Sequence, residues 1–310
     1  MGRTLSISKK IKKKRTKKRT NTIIFLFCML FLPVLNWLIF WLYVNISSIT
    51  LAFRDARTNS FTFQNFVIFW ESLTSPTGDI GVSLINTFKY FGTSLVIIMP
   101  VALFISYFLY KKVRGHRIFR VIFYLPAIIS GVAMVAVYKN FINPNGPLDL
   151  FLRLFGKSVP PEGFLAKEST ATLTIIIYCI WTGFSGNVLI YCGAMARVPI
   201  ECLESATLDG CGPVRELFQI ILPLIWPTIS TQIVLLFTGI FGVSGPILLF
   251  TYGEYGTSTL AFWIWKSIYT GSEAAYNIIS ATGLVLTAIG VPLILLVRLF
   301  MEKVVPPVEY

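Results

Sequence analysis

The sequence predicts an all-α integral membrane protein with six transmembrane helices and both termini in the cytoplasm. Three observations carry that prediction. Mean hydropathy is +0.72 and only 13% of residues are charged, values outside the soluble globular range. Six apolar runs, at 23–44, 84–109, 121–141, 171–195, 221–250 and 276–300, are each long enough to cross a bilayer core, which takes about 20 residues of helix. With the N-terminus inside, 19 of the 27 Lys and Arg fall on the inner side, whereas the 14 carboxylates divide six inside and eight outside. The asymmetry lies in the cations, as the rule for membrane orientation requires.

In chain order, residues 1–22 form a basic cytoplasmic tail. Its "KKIKKKRTKKRT" holds nine cations directly before the first span, a topology anchor drawn to anionic lipid and not a nucleic-acid site. The first span, 23–44, has no small-residue cleavage site after it and is retained. An external loop, 45–83, contains "FTFQNFVIFWESL", which predicts a short helix on the outer surface or against a partner. The region 84–300 is the spanning core, with cytoplasmic loops around "KKVRGH" and 196–220, and 301–310 is a cytoplasmic tail. The third span is the least regular, because Pro126 and Gly131 interrupt it. The stretch 142–170 is rich in turn residues and predicts a folded external loop.

Little in the chain suggests chemistry of its own. Gly156-Lys157-Ser158 lacks the glycine that a phosphate loop needs at position 151, which is Phe. Any ATP dependence therefore belongs to another subunit. The five cysteines have neither metal-site nor disulfide spacing, so no metal is expected. "GFSG", Gly183 to Gly186, matches the serine motif of rhomboid-type intramembrane proteases, which makes Ser185 a candidate nucleophile. Such a serine needs a base within reach, and the one histidine, His116, falls in the basic loop. A close helix contact explains small residues there as well. Ionisable residues are nearly absent from the spans, which argues against proton-coupled transport.

The segment 199–222 stands apart. After Pro199, "IECLESATL" predicts a two-turn helix ended by Asp209-Gly210. A second helix begins near Pro213 with Val214, Leu217, Phe218 and Ile221 as an apolar stripe, and ends at Pro223. An interfacial helix lying on lipid should be rich in cations. Here Arg215 stands alone against Glu201, Glu204, Asp209 and Glu216, so the segment is better suited to a protein groove.

The spacing Glu204-Ser205-Ala206, Gly210, Ile220, Leu222, Pro223 resembles the E-A-A-x3-G-x9-I-x-L-P loop of permease subunits in binding-protein-dependent ABC importers. Ser205, where the family usually has Ala, is the one departure. "WTGFSGNVLIYCGAMARVPIECLESATLDG", "LPAIISGVAMVAVYKNFINPNGPLD" and "LLFTYGEYGTSTLAFWIWKSIY" look like the carbohydrate, maltose-type branch. In the last of these, Gly253-Glu254-Tyr255 replaces the usual Gly-Gly-Pro. The resemblance implies a type I importer permease in a bacterial plasma membrane, forming half of a pore for a sugar or oligosaccharide. It implies a second homologous permease, two ABC ATPase subunits that bind ATP and Mg, and an extracellular or periplasmic solute-binding protein. By the same resemblance Glu204 contacts the ATPase, Ala206 permits close packing and Gly210 permits the turn. A small channel is the remaining alternative beside the protease.

For a translocation path the residues say less. Gly239, Gly242 and Gly245 weaken the fifth span at its outer half, as a cavity-lining hinge or as a packing surface. Tyr178, Trp181, Asn187 and Gln232 are the deepest polar or amphipathic side chains and suit a sugar, though packing explains each one as well.

Overall fold

A computed structural model describes residues 21–75, 78–271 and 273–304, so the basic tail up to residue 20 and the last six residues lie outside the described part. Helix α1, Asn21–Ala52, is apolar on all sides and its spanning window is unburied. Only its outer end, Val44–Ala52, packs on the chain's last helix. It runs on well past residue 44, so the external segment before the second span is shorter than expected. That segment is also docked: the side-chain amide of buried Asn65 donates to the Ala52 and Arg54 carbonyls. The short helix expected there is α2, Gln64–Thr74.

Helix α3, Asp79–Tyr110, crosses as one rod with a wider π turn at Ser94–Ile98 directly before Pro100. The third span is broken. Helix α4, His116–Ile128, holds Pro126 inside it, and the chain then turns by 108° through extended Ile129 and Ser130 into α5, Gly131–Ile142. The bend therefore sits just before the glycine and not at the proline. Helix α6, Pro147–Arg153, lies in the folded loop that follows. Its closure comes from Asp149, whose carboxylate accepts from the Val159 and Asn145 amides and pairs with Arg153 at 2.6 Å.

Helix α7, Glu168–Met195, is uninterrupted and central. Helix α8, Ile200–Leu208, is short. Helix α9, Pro213–Thr238, corrects two expectations. It does not end at Pro223, because a π turn at Leu217–Ile221 just before that residue accommodates the missing N–H and the ring. It also stops at Thr238, short of residue 250: Gly239 begins a 3₁₀ turn, Ile240–Gly242, and a further single turn follows at Ile247–Phe250. Helix α10, Leu260–Thr270, was not legible in the sequence, and α11, Glu273–Val304, closes the fold. Among the described residues, five helices are long and apolar enough to span a membrane, six if the bent α4–α5 pair counts as one span.

Burial concentrates at three places. Tyr107, Leu109, Tyr191, Met195, Leu217 and Ile221 join the ends of α3 and α7 to the start of α9. Tyr138, Tyr178, Phe250 and Phe262 form an aromatic cluster at the opposite end. Phe69, Ile80, Leu260 and Leu286 tie α2, α3, α10 and α11 together. "Inner" below denotes the end that carries α8.

Candidate functional site

Pro199, in extended conformation, ends the polypeptide's course along α7 and starts α8. At the other end of α8, the amides of Gly210 and Cys211 donate to the Thr207 and Ala206 carbonyls at 3.1 and 2.9 Å, with Gly210 at φ +72°. This double closure requires a left-handed residue, which glycine adopts without a Cβ penalty. Ala206 is buried beneath the turn and its carbonyl holds the closure. The Ser205 hydroxyl donates to the Glu201 carbonyl within the helix at 2.8 Å, so the outward surface there stays small and makes no demand for a partner.

The helix presents a face that nothing among the described residues covers. Ile200 and Leu208 are 63% and 89% exposed, and Glu201, Glu204 and Ser205 lie exposed between them. Two apolar ends flanking carboxylates is an unstable arrangement for water alone and a suitable one for a groove with a basic or amide lining.

The expected apolar stripe of α9 divides. Leu217 and Ile221 are buried in the inner core, whereas Val214 is exposed and Phe218 reaches the Phe104 ring at 6.3 Å. Glu216 does not join the outward acidic face. It is 4% exposed and turned inward, with both carboxylate oxygens within 3.0 Å of the Lys111 amine at the end of α3. Beside it the Tyr107 hydroxyl donates to the Pro213 carbonyl at 2.9 Å. Ile220, Leu222 and Pro223 are partly buried and continue the turn into the spanning part of α9.

The candidate path residues fall into two groups. Tyr178 is buried among Tyr138, Trp181 and Phe250, with ring centroids 5.0 to 6.1 Å away, so it is a packing residue first. Trp181 is 40% exposed and offers a free edge. Deeper, the Gln232 amide donates to the Asn187 side-chain oxygen at 3.4 Å, which bridges α9 to α7. Gly239, Gly242 and Gly245 are all exposed where α9 has ended. Irregular backbone of this kind at membrane depth belongs against a cavity or another protein.

Ser185 is 2% exposed with no hydrogen-bond partner for its hydroxyl. His116 opens α4, and Phe123 of that helix touches Phe184 with centroids 5.7 Å apart. Seven residues separate His116 from that level, or about 10 Å of helix rise, so it supplies no base to Ser185. Among the described residues no group of three potential metal ligands occurs.

Comparison with known proteins places this geometry. Residues 99–310 match the family model described as binding-protein-dependent transport system inner membrane component. A probable ABC transporter permease protein of Pyrococcus horikoshii is 31% identical over 73% of this chain and 75% of its own length. The arabinooligosaccharides transport system permease protein AraP of Bacillus subtilis is 25% identical over 63% of this chain and 61% of its own. The first three curated relatives matched are covered over only 56%, 57% and 61% of their lengths. A chain of a bacterial ABC transporter involved in the import of the acidic polysaccharide alginate superposes with TM-score 0.79 at 23% identity, over 93% of this chain and 99% of that one. A chain of a bacterial alginate ABC transporter in complex with an alginate pentasaccharide-bound periplasmic protein gives TM-score 0.76 at 23% identity, over 92% of this chain and 95% of that one.

Proposed function

The chain belongs to the binding-protein-dependent transport system inner membrane components, as a multi-pass membrane protein, and we propose that it is a permease subunit of an ATP-driven importer. The observation that carries this reading is the uncovered α8 face, Ile200, Glu204 and Leu208, held at a fixed angle by the left-handed Gly210. A membrane chain that builds a rigid, part-acidic knob and buries the knob's base has made half of a protein interface. Its other half is a cytoplasmic ATPase that supplies the ATP and Mg chemistry. Glu204 gives the polar contact, Ser205 and Ala206 keep the helix slim, and Gly210 with Ile220, Leu222 and Pro223 carries the displacement into α9.

The transported solute is a saccharide. AraP and the alginate transporter carry saccharides by name, and here the half-exposed Trp181 edge and the Asn187–Gln232 amide pair offer stacking and hydroxyl recognition. A second homologous permease completes the pore against the exposed faces of α7 and α9, and a solute-binding protein delivers from outside. The cytoplasmic placement of both termini follows the distribution of cations.

Affinity purification of the tagged chain from mild-detergent membrane extracts, with mass spectrometry, tests the assembly. A Walker-A ATPase and a second permease are expected. Recovery of the chain alone, under conditions that keep known transporters assembled, would overturn it. Glu204→Lys is expected to insert normally and to lose at least about 90% of uptake, since reversal of an interface charge leaves an unpaired charge in the groove; unchanged uptake would remove Glu204 from the interface.

A further inference from the structure

Helix α3 is clamped at both ends by polar contacts in which Glu216, Tyr107, Asn86 and Thr87 are buried and the Lys111 amine is exposed. At the inner end stand the Lys111–Glu216 ion pair and the Tyr107-to-Pro213 hydrogen bond, both reaching the first turn of α9 just beyond Gly210. At the outer end the side-chain amide of Asn86, 2% exposed, donates to the Gly256 and Ser258 carbonyls at 2.7 and 2.9 Å. One residue on, the buried Thr87 hydroxyl accepts from the Leu260 amide at 2.9 Å. The outer partners form the loop 251–259 that leads into α10. Its backbone is left-handed at Tyr252, Gly253, Tyr255 and Gly256, and Asn86 holds two of its carbonyls. Nothing in the local sequence requires either clamp: each joins positions more than 100 residues apart.

α3 is a single helix, Asp79–Tyr110, and the stretch from Asn86 to Lys111 between the clamps rises about 37 Å. Its one irregular turn, Ser94–Ile98, lies near the middle. There Gly183 of α7 comes so close to Ile98 that a Cβ would stand 2.9 Å from the Ile98 side chain. Below that point the buried Ser106 hydroxyl, which donates to the Ala102 carbonyl at 2.6 Å, also stands 3.2 Å from the Val188 carbonyl of α7. The rod is therefore supported on α7 and tied at both ends. Opening a tie would leave a buried partner, Glu216 at the inner end or Asn86 at the outer, without its hydrogen bonds, so displacement of one end is cheaper when the rod follows than when the tie breaks.

We infer that α3 is the element through which the α8–α9 turn and the outer loop 251–259 move together, with Lys111, Glu216, Asn86 and Thr87 as its positioning residues. The inference rests on the importer reading for the motion it transmits. ATP-driven displacement of α8 pulls on Glu216 and Pro213, α3 shifts against the Ile98–Gly183 contact, and Asn86 and Thr87 move the loop that faces an arriving solute-binding protein. The acidic face of α8 binds the ATPase, whereas Glu216, one helix on, never touches it.

Hydrogen exchange of the purified complex in lipid nanodiscs, with and without a non-hydrolysable ATP analogue, tests this. In the wild type both 200–216 and 251–259 are expected to change protection on nucleotide binding. In Lys111→Glu and in Asn86→Leu, 200–216 still responds and the response of 251–259 falls about fivefold or more, at the low end of measured coupling factors. Lys111→Glu combined with Glu216→Lys restores it. Thr87→Val, which removes only the acceptor for the Leu260 amide, gives the same loss if Asn86→Leu fails to assemble. An undiminished response of 251–259 in these variants overturns the rod while leaving the importer intact. Absence of a co-purifying ATPase overturns both, which keeps the two failures apart.

Discussion

The inner turn at Gly210 and the outer loop around Gly253 both depend on a left-handed glycine, at φ +72° and +80°, but their surroundings differ. Around Gly210 nothing stands within 4 Å of where a Cβ would lie, whereas at Gly253 a Cβ would overlap the ring of buried Phe262. One glycine serves only the backbone; the other serves backbone and packing. The inner turn is thus fixed by its own backbone, with open space where a Gly210 side chain would stand. The outer loop is shaped by its own protein, with Thr251 and Thr257 joined at 2.6 Å and the Asn86 amide beneath.

Substitution separates the two. Gly253→Ala adds left-handed strain of about 1–2 kcal/mol to overpacking of about 1–3 kcal/mol, and is expected to lower the thermal midpoint of the detergent-solubilised chain more than Gly210→Ala does. A midpoint equal to the wild type's would mean that the Phe262 ring yields freely. Gly210→Ala carries only the strain term, about 1–2 kcal/mol, with no clash. It is expected to leave the midpoint within a few degrees and to reduce uptake severely, because the angle of α8 changes while the fold does not. Equal loss of stability at the two sites would erase the distinction between them.

Much of the inner turn was legible in advance, and the reason is local. Pro199, the two-turn length, Asp209-Gly210 and Pro213 each act within a few residues, and each lies where α8 and α9 begin or end. What was illegible depended on distance. Glu216 reads as one more acid on a solvated face, and only its 105-residue separation from Lys111 in a folded chain turns it inward. The helix at Leu260–Thr270 was missed although Thr259 and Gly271 flank it, because its aromatic run reads equally well as part of an outer loop, and its first amide is held by Thr87, 173 residues away. Pro223 was misread as a stop because the sequence does not announce the π turn that absorbs it. The candidate path was legible only as residue types. Tyr178 proved to be enclosed, while the glycines did lie where α9 loses its regularity.

The folded loop 142–163 gives a third way of fixing a turn, by charge. Asp149 is buried at the start of α6, and its pKa is held below the usual carboxylate value, first by the Val159 amide and then by Arg153. A folded-state pKa below the unfolded one stabilises above the unfolded value, near 4, and is lost as pH falls through the folded value. Loop 142–163 is therefore expected to keep its protection at pH 5 to 8 and to lose it at pH well below 4, before the spanning helices respond. Hydrogen exchange across that range reads this directly, and Asp149→Asn should open the loop at neutral pH. If protection instead fell between pH 5 and 7, a group other than Asp149 would be closing the turn.

The smallest effect is expected at Ser185. Its hydroxyl is buried without a partner, so Ser185→Ala removes an unsatisfied polar group and leaves only a small gap. Loss of an unpaired buried hydroxyl is neutral or mildly stabilising, unlike removal of a hydrogen-bonded one. The neighbouring Gly183 is the position where size matters, because of Ile98. Ser185→Ala is therefore expected to leave both stability and uptake near those of the wild type, whereas Gly183→Val should separate α7 from α3. A Ser185→Ala variant that abolished function while folding normally would restore a chemical role to this serine, and would require a base that His116, about two helical turns away from its level, does not provide.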